Sequence, residues 1–150
     1  MSYANLGQAS LAAENLTKAY NLLDRVSERE KLRIAAAYYQ LATGELEKAD
    51  RTYQLWIQSY PRDPVAFGNL GNDFMVLGQW EKAVAQSRES LRLEAQSVVN
   101  QTNLAFQYLA LNRVDDAKKT LEQALTAGLQ EPLLGEAKAA VSELRKREGL

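Results

Sequence analysis

The stretch FGNLGNDFMVLGQWEKA, from Phe67 to Ala83, contains no obvious catalytic residue, yet its small residues stand at fixed places. Gly71 follows directly after a leucine, Gly78 comes seven residues later, and Ala83 closes the stretch after five more. Small residues are needed where a chain reverses or where two backbones approach closely. The stretch therefore predicts an architecture more clearly than it predicts a chemistry.

The same positions recur along the chain with a period of 34 residues. The recurring sets are Gly44, Gly78 and Asn112; Ala49, Ala83 and Ala117; Leu70 and Leu104; and Phe74 and Tyr108. Between them, apolar residues are spaced by three and four, which indicates helices, and about nine short ones are expected. Each period predicts two helices of about 13 to 15 residues, with the glycine ending the first and the alanine allowing close packing of the second.

Local signals support these helix boundaries. Ser27 followed by Glu30 predicts a capping box at a helix start. Asp63 before Pro64 predicts an N-cap with proline in the first turn. Gly128 follows an apolar run, where a left-handed residue would end another helix.

Composition excludes several classes of function. The chain has 150 residues, enough for one domain, with a net charge of -1 and neither cysteine nor histidine. Disulfides, thiolate chemistry and histidine ligation are therefore absent, and we expect no metal, no cofactor and no enzyme activity. The lack of a basic excess argues against nucleic acid. The N-terminus does not resemble a signal peptide, and the longest apolar run, Ile34 to Tyr39, is far shorter than the roughly 20 residues of a membrane helix, so we expect a soluble chain without membrane insertion.

The segments FGNLGNDF (residues 67–74) and QTNLAFQY (residues 101–108) resemble the tetratricopeptide repeat. The resemblance implies an all-α fold, a right-handed α-solenoid of antiparallel helix pairs, in a single domain spanning residues 1–150. Its divisions would be a degenerate repeat at 1–27, repeats at 28–63, 64–97 and 98–131, and a C-terminal capping helix at 132–147. That makes about four repeats and a cap.

Two units depart from the repeat pattern. The distance from Ile34 to Leu70 is 36 residues, so the first helix of that unit is predicted to be two residues longer. Trp56 stands in the same unit where the family prefers alanine. In the degenerate first unit, Ala19 precedes Ala49 by only 30 residues.

The segment from Asp24 to Asp63 resembles tetratricopeptide regions of large bacterial serine/threonine protein kinases, and similar segments follow winged-helix regulatory domains. This resemblance implies a scaffold or sensor region of a larger bacterial signalling protein. The expected location is the cytoplasm, or the extracytoplasmic side if the parent is a membrane-anchored kinase.

In such repeats the first helix of each pair lines a concave groove that binds a protein or peptide. The resemblance implies that the groove residues here are Arg33, Tyr39, Asn69, Asn72, Met75, Asn103 and Phe106. Asn69 and Asn103 occupy the same repeat position, and their carboxamides could grip a peptide backbone. Alternatively, asparagine is simply common before the leucine at this position.

Other groove features also admit two interpretations. Tyr39, Met75 and Phe106 would suit apolar anchors of a bound segment, unless a terminal helix or a second copy covers them. Arg29 and Arg33, four residues apart, could hold a carboxylate, although the intervening acidic residues favour ordinary surface pairing.

The sequence therefore predicts a protein- or peptide-binding module that captures a partner segment in its groove. Two alternatives stay open. One is a structural spacer that self-associates as a homo-oligomer, and the other is a small-ligand sensor attached to a kinase or transcription regulator.

Overall fold

The computed structural model of the chain describes residues 3–126 and the single positions Gly135, Ala139 and Ser142, with side chains described between residues 9 and 124. Residues 3–126 form seven α-helices and no strand. The helices are α1 (Tyr3–Tyr20), α2 (Glu28–Ala37), α3 (Leu46–Ser59), α4 (Pro64–Val76), α5 (Trp80–Leu93), α6 (Val98–Ala110) and α7 (Val114–Thr126). A 3₁₀ helix covers Leu23–Arg25 and a π-helix covers Tyr38–Thr43. The predicted cap at residues 132–147 and the turn at Gly128 lie outside the described residues.

The chain divides into two compact units, Met1–Ala66 and Phe67–Leu150, which are described separately. Within residues 3–126, none of the helices combines the length and the apolar character that crossing a membrane requires.

The turns between paired helices are built as the 34-residue period predicts. Gly44, Gly78 and Asn112 all have left-handed backbones, with φ of 71°, 69° and 58°. At the last of these turns, the N–H of Arg113 donates to the carbonyl of Tyr108 at 2.8 Å, and the N–H of Asn112 donates to the next carbonyl along at 3.0 Å. This is a Schellman motif, which satisfies carbonyls at the end of α6 and reverses the chain.

The small residues between Phe67 and Ala83 allow the helices of unit 2 to pack closely. Ala83 and Ala117 are fully buried, as predicted. A β-carbon added to Gly71 would lie 2.9 Å from Oγ of Ser87 and 3.3 Å from the carbonyl oxygen of Ala83. Glycine is therefore required where α4 crosses α5. A β-carbon added to Gly68 would lie 2.9 Å from Oδ1 of Asn100 on α6, the end of a flexible side chain.

The longer first helix of the second predicted repeat ends in the π-helix. From Ile34 to Ala49 the chain is two residues longer than the corresponding stretch of the later repeats. The structure takes up this extra length by widening the helix into i→i+5 turns at Tyr38–Thr43. Gly44 then ends the helix in the predicted left-handed conformation.

Residues 3–20 correct the prediction of a degenerate helix pair at residues 1–27. They form one continuous helix, α1, followed by a short 3₁₀ helix. The stretch after Gly7 is rich in alanine and leucine and contains neither glycine nor proline, so nothing in it reverses the chain. The described part of the chain thus holds one single helix followed by three helix pairs.

The carboxylate of Asp63 accepts three hydrogen bonds at the end of unit 1. Its Oδ1 accepts the N–H of Val65 at 3.1 Å, which confirms the predicted N-cap of α4. Its Oδ2 accepts Nε1 of the fully buried Trp56 at 2.9 Å and Nε of Arg29 at 2.6 Å. Burial raises the pKa of Asp63, but the hydrogen bonds from these three donors outweigh it and hold that pKa below its usual range.

The pairing of Arg29 corrects the expectation that its partners are the neighbouring glutamates. Glu28 pairs with Lys31 at 2.6 Å, and Glu30 closes the predicted capping box with Ser27. Because both glutamates have partners within one helical turn, the arginine pairs with a carboxylate 34 residues away.

Candidate functional site

Two helices of unit 2, α4 and α6, carry most of the predicted groove residues and meet through two asparagines. Nδ2 of Asn103 donates a hydrogen bond to Oδ1 of Asn72 at 2.8 Å. Both side chains are half-buried. The bond connects α4 to α6. Oδ1 of Asn103 and Nδ2 of Asn72 have no hydrogen bond to the described residues, and the bonded Nδ2 of Asn103 keeps a second N–H.

Apolar side chains flank this pair at helical spacing. Residues three and four apart lie on one face of a helix, so the neighbours of Asn72 on α4 and of Asn103 on α6 share its face. We call this set the asparagine face: Asn72, Met75 and Val76 on α4, with Val99, Asn103 and Phe106 on α6. The exposed fractions are 69% for Val76, 65% for Val99 and 36% for Phe106, whereas Met75 is half-buried.

Asn69 precedes Asn72 by one turn of α4 and is half-buried. It has no hydrogen bond to the described residues, unlike Asn103, although the repeat pattern makes these two equivalent. The structure thus brings Asn103 together with Asn72, 31 residues away, and not with Asn69.

The asparagine face carries no charge. Helix α6 contains no Asp, Glu, Lys or Arg, and the single such residue in α4, Asp73, is fully buried. The second helices of the same pairs differ sharply: α5 carries five charged residues and α7 carries five. The charges of unit 2 are therefore concentrated on α5 and α7, and the first helices present amides and apolar groups.

The two remaining predicted residues, Arg33 and Tyr39, belong to unit 1. Arg33 is exposed and has no ion pair among the described residues. The hydroxyl of Tyr39 lies 2.7 Å from that of Tyr20, and the ammonium group of Lys48 lies 5.5 Å from its ring. This hydrogen bond is the main reason why the pKa of Tyr20 is raised.

Sequence reasoning missed Tyr20 as a neighbour of the π-helix. Its ring stacks on that of Tyr38 with centroids 4.1 Å apart and meets Tyr39 edge-on. The available signal was the length excess between Ile34 and Ala49, which indicates an irregularity somewhere in this stretch but not its kind or its neighbours.

Clefts lie elsewhere on unit 2. One of about 650 Å³ lies between the α5–α6 connection and α7, with Gln101, Leu91 and Lys119 among its lining residues. Gln101 is two residues from Asn103, which puts it about 160° away around α6. The asparagine face is therefore an open surface distinct from this cleft. Among the described residues, no cluster of carboxylates suits a metal ion.

Comparisons with known proteins give structures but no sequence relatives. No family model matches the sequence, and no curated protein matches it. The TPR2B domain of yeast Sti1, solved in a complex with pHsp70, has a TM-score of 0.69 at 17% identity, covering 79% of this chain and 97% of its own. The first TPR of Spaghetti (RPAP3), bound to the HSP90 peptide SRMEEVD, has a TM-score of 0.71 at 16% identity, covering 82% and 94%.

A bacterial structure is equally similar. The type III secretion translocator chaperone SycD of Yersinia enterocolitica has a TM-score of 0.69 at 16% identity, covering 84% of this chain and 91% of its own. At such identities the likeness concerns the fold alone. With the three helix pairs and their repeated turns, it shows that the chain has the all-α helical-repeat fold of a tetratricopeptide-repeat domain.

Proposed function

We propose that this chain is a protein-binding module that captures a segment of a partner on the asparagine face of unit 2. The observation that carries the proposal is the hydrogen-bonded pair Asn72–Asn103, which keeps both N–H donors and a carbonyl acceptor available on an uncharged surface. Asn69, one turn earlier on α4, offers a further carboxamide to the same segment.

Binding on this face is favourable for two physical reasons. Carboxamides can donate to and accept from a peptide backbone, so they hold an extended segment whatever its side chains are. Phe106 and Met75 add apolar area, and each square ångström removed from water contributes roughly 25 cal/mol. Two proteins of similar fold were solved with peptide or protein partners, the first TPR of Spaghetti with SRMEEVD and TPR2B of Sti1 with pHsp70.

The test is a peptide-display selection against the purified chain. It runs in parallel on the double variant Asn72→Ala/Asn103→Ala and on Asn15→Ala, which removes an exposed carboxamide from α1. We expect peptides with a shared motif on the wild type and the control and a loss of that enrichment on the double variant. Circular dichroism melts establish that all three proteins are folded.

Two outcomes would refute the proposal. The first is a folded wild type that enriches no peptide over background. The second is an enriched motif that binds the double variant as tightly as it binds the wild type, because the binding surface would then lie elsewhere.

A second function, self-association as a structural spacer, is favoured by a separate observation in unit 1. Leu11, Leu41 and Leu55 are exposed by 59%, 61% and 51%. We propose that a spacer function would bury them against a second copy. Light scattering over a range of concentrations would show a mass that rises with concentration, and Leu41→Lys would keep the chain monomeric.

We further propose that the module is a scaffold or sensor region of a larger bacterial signalling protein. Only the resemblance of residues 24–63 to the repeat regions of bacterial kinases supports this context. Pull-down of the parent protein from its source organism, followed by mass spectrometry, would identify the attached domains.

A further inference from the structure

We infer that the asparagine face selects an uncharged, extended segment with apolar side chains and rejects acidic peptides. This inference rests on the proposed function, because it names the class of segment that the same face would bind. Three observations carry it: the functions left free on the asparagine pair, the absence of charge, and the exposure of the apolar neighbours.

The asparagine pair suits a backbone and not a charged end group. One N–H of Asn103 Nδ2 is bonded to Oδ1 of Asn72, so the pair keeps Oδ1 of Asn103 as an acceptor and, as donors, Nδ2 of Asn72 and the second N–H of Asn103. An extended backbone offers the complementary N–H and C=O groups along one edge. A carboxylate only accepts hydrogen bonds, so it would leave Oδ1 of Asn103 without a donor, whereas a peptide backbone supplies both an N–H and a C=O.

No cation on these two helices could compensate a bound carboxylate. Neither α4 nor α6 contains a lysine or an arginine. Desolvating an ion without a partner is strongly unfavourable. The peptide SRMEEVD on the first TPR of Spaghetti carries three acidic side chains, and this face has no residue to pair with them.

The apolar residues of the asparagine face determine which side chains the bound segment should carry. Val76 and Val99 expose about two thirds of their surface, at 69% and 65%, and Phe106 exposes 36%. They lie one turn from the asparagine that each helix contributes, so side chains next to the held backbone would contact them. Apolar side chains gain most from this contact.

The experiment sorts the selected peptides by charge. A random nine-residue display library is selected on the wild type, on Val99→Lys and on Ala85→Lys, a control that adds the same charge to an exposed position of α5. On the wild type and the control we expect pools rich in apolar residues and depleted of Asp and Glu. For the best synthetic peptide, affinity should change less than about twofold between roughly 0.05 and 0.5 M NaCl.

Val99→Lys provides the decisive comparison, because it adds a cation beside the pair without removing either asparagine. We expect its pool to shift towards acidic peptides, with at least about a tenfold gain in affinity for an acidic peptide over the wild type at low salt. Melts of all three proteins verify folding.

The outcomes separate the inference from the proposed function. A wild-type pool that is acidic but still depends on Asn72 and Asn103 would overturn the inference and leave the proposed function standing. A tenfold loss of affinity in high salt would do the same. Absence of any enrichment, or enrichment that ignores the asparagine pair, would overturn both.

Discussion

Replacement of Asp63 by alanine should destabilise the chain more than its place in a short loop suggests. The side chain is only 4% exposed and accepts three hydrogen bonds, from Val65 two residues away, from Trp56 seven residues away and from Arg29, which is 34 residues away. Alanine leaves the buried indole N–H of Trp56 and the first turn of α4 without their acceptor.

The size of the effect follows from these contacts. Loss of an N-cap costs about 1 kcal/mol, and a buried donor left without an acceptor costs about 1–3 kcal/mol. We add nothing for Arg29, because its side chain is 55% exposed and water can replace the carboxylate. Asp63→Ala should therefore lower the free energy of unfolding by about 2–4 kcal/mol, which for a chain of this size lowers Tm by roughly 5–15 °C.

Urea unfolding followed by circular dichroism measures this change, with Asp24→Ala as the control because Asp24 is exposed. The control should remain within about 0.5 kcal/mol of the wild type. Asp63→Asn keeps one acceptor oxygen and should fall between the wild type and Asp63→Ala. If Asp63→Ala unfolds at the same urea concentration as the control, the three hydrogen bonds do not stabilise unit 1 and the reasoning fails.

The same residue predicts a dependence on pH. The pKa of Asp63 is lower in the folded chain than in the unfolded chain, so its stabilising contribution is complete above the unfolded pKa of about 3.9. That contribution is lost as the pH falls below about 4 through the folded pKa. Chemical unfolding of the wild type at several pH values should show this loss, and Asp63→Asn should show less of it. Equal acid sensitivity of the two proteins would contradict the assignment.

Substitutions at four further positions test the packing and the turns of unit 2 by the same urea unfolding. Gln107→Met should stabilise the chain by about 1–3 kcal/mol, because the fully buried amide of Gln107 has no hydrogen-bond partner among the described residues; a loss of stability would show that a partner exists. Gly71→Val should cost about 1–3 kcal/mol through overpacking, and Ser87→Ala in the same chain should recover part of that loss, since Oγ is the nearest atom. Asn112→Ala should cost about 1 kcal/mol because its backbone is left-handed, and Asn112→Gly should cost nothing.

The turns and the close helix contacts could be predicted because they are encoded locally. A left-handed residue must be glycine or asparagine to avoid strain, so Gly44, Gly78 and Asn112 mark their turns in the sequence itself. Gly71 is small because Oγ of Ser87 and the carbonyl oxygen of Ala83 leave little room for a β-carbon, and Ala83 is fully buried. Their spacing from the turn repeats with the helix pair.

The π-helix could not be predicted in the same way. The sequence showed two extra residues before Ala49, but a longer loop or a bulge would have accommodated them equally well. The choice depends on tertiary contacts: Tyr38 and Tyr39 project from the π-helix onto Tyr20 of α1. Nothing in the local sequence indicates which aromatic ring they meet.

The bond between Asn72 and Asn103 could not be predicted from the sequence either. Both residues were predicted groove residues, but the repeat pattern relates Asn103 to Asn69, which occupies the same position one period earlier. Two neighbouring helices with a relative rotation do not present equivalent positions to each other. The two bonded residues are therefore 31 positions apart and not the 34 of the repeat period. This separation can be found only once the positions of the two helices are known.

The neutrality of the asparagine face does not follow from packing alone. Burial explains why Ala105 and Leu104 of α6 are uncharged, since both are almost fully buried. It does not explain Val76 and Val99, because both are well exposed, and exposed positions of α5 and α7 carry lysine, arginine and glutamate. Single exposed valines are ordinary, but here they stand beside a bonded asparagine pair whose remaining amide groups can both donate and accept hydrogen bonds. A lysine at either position would cost little stability at such exposure, so binding of an uncharged segment is the physical reason we propose for their apolar character.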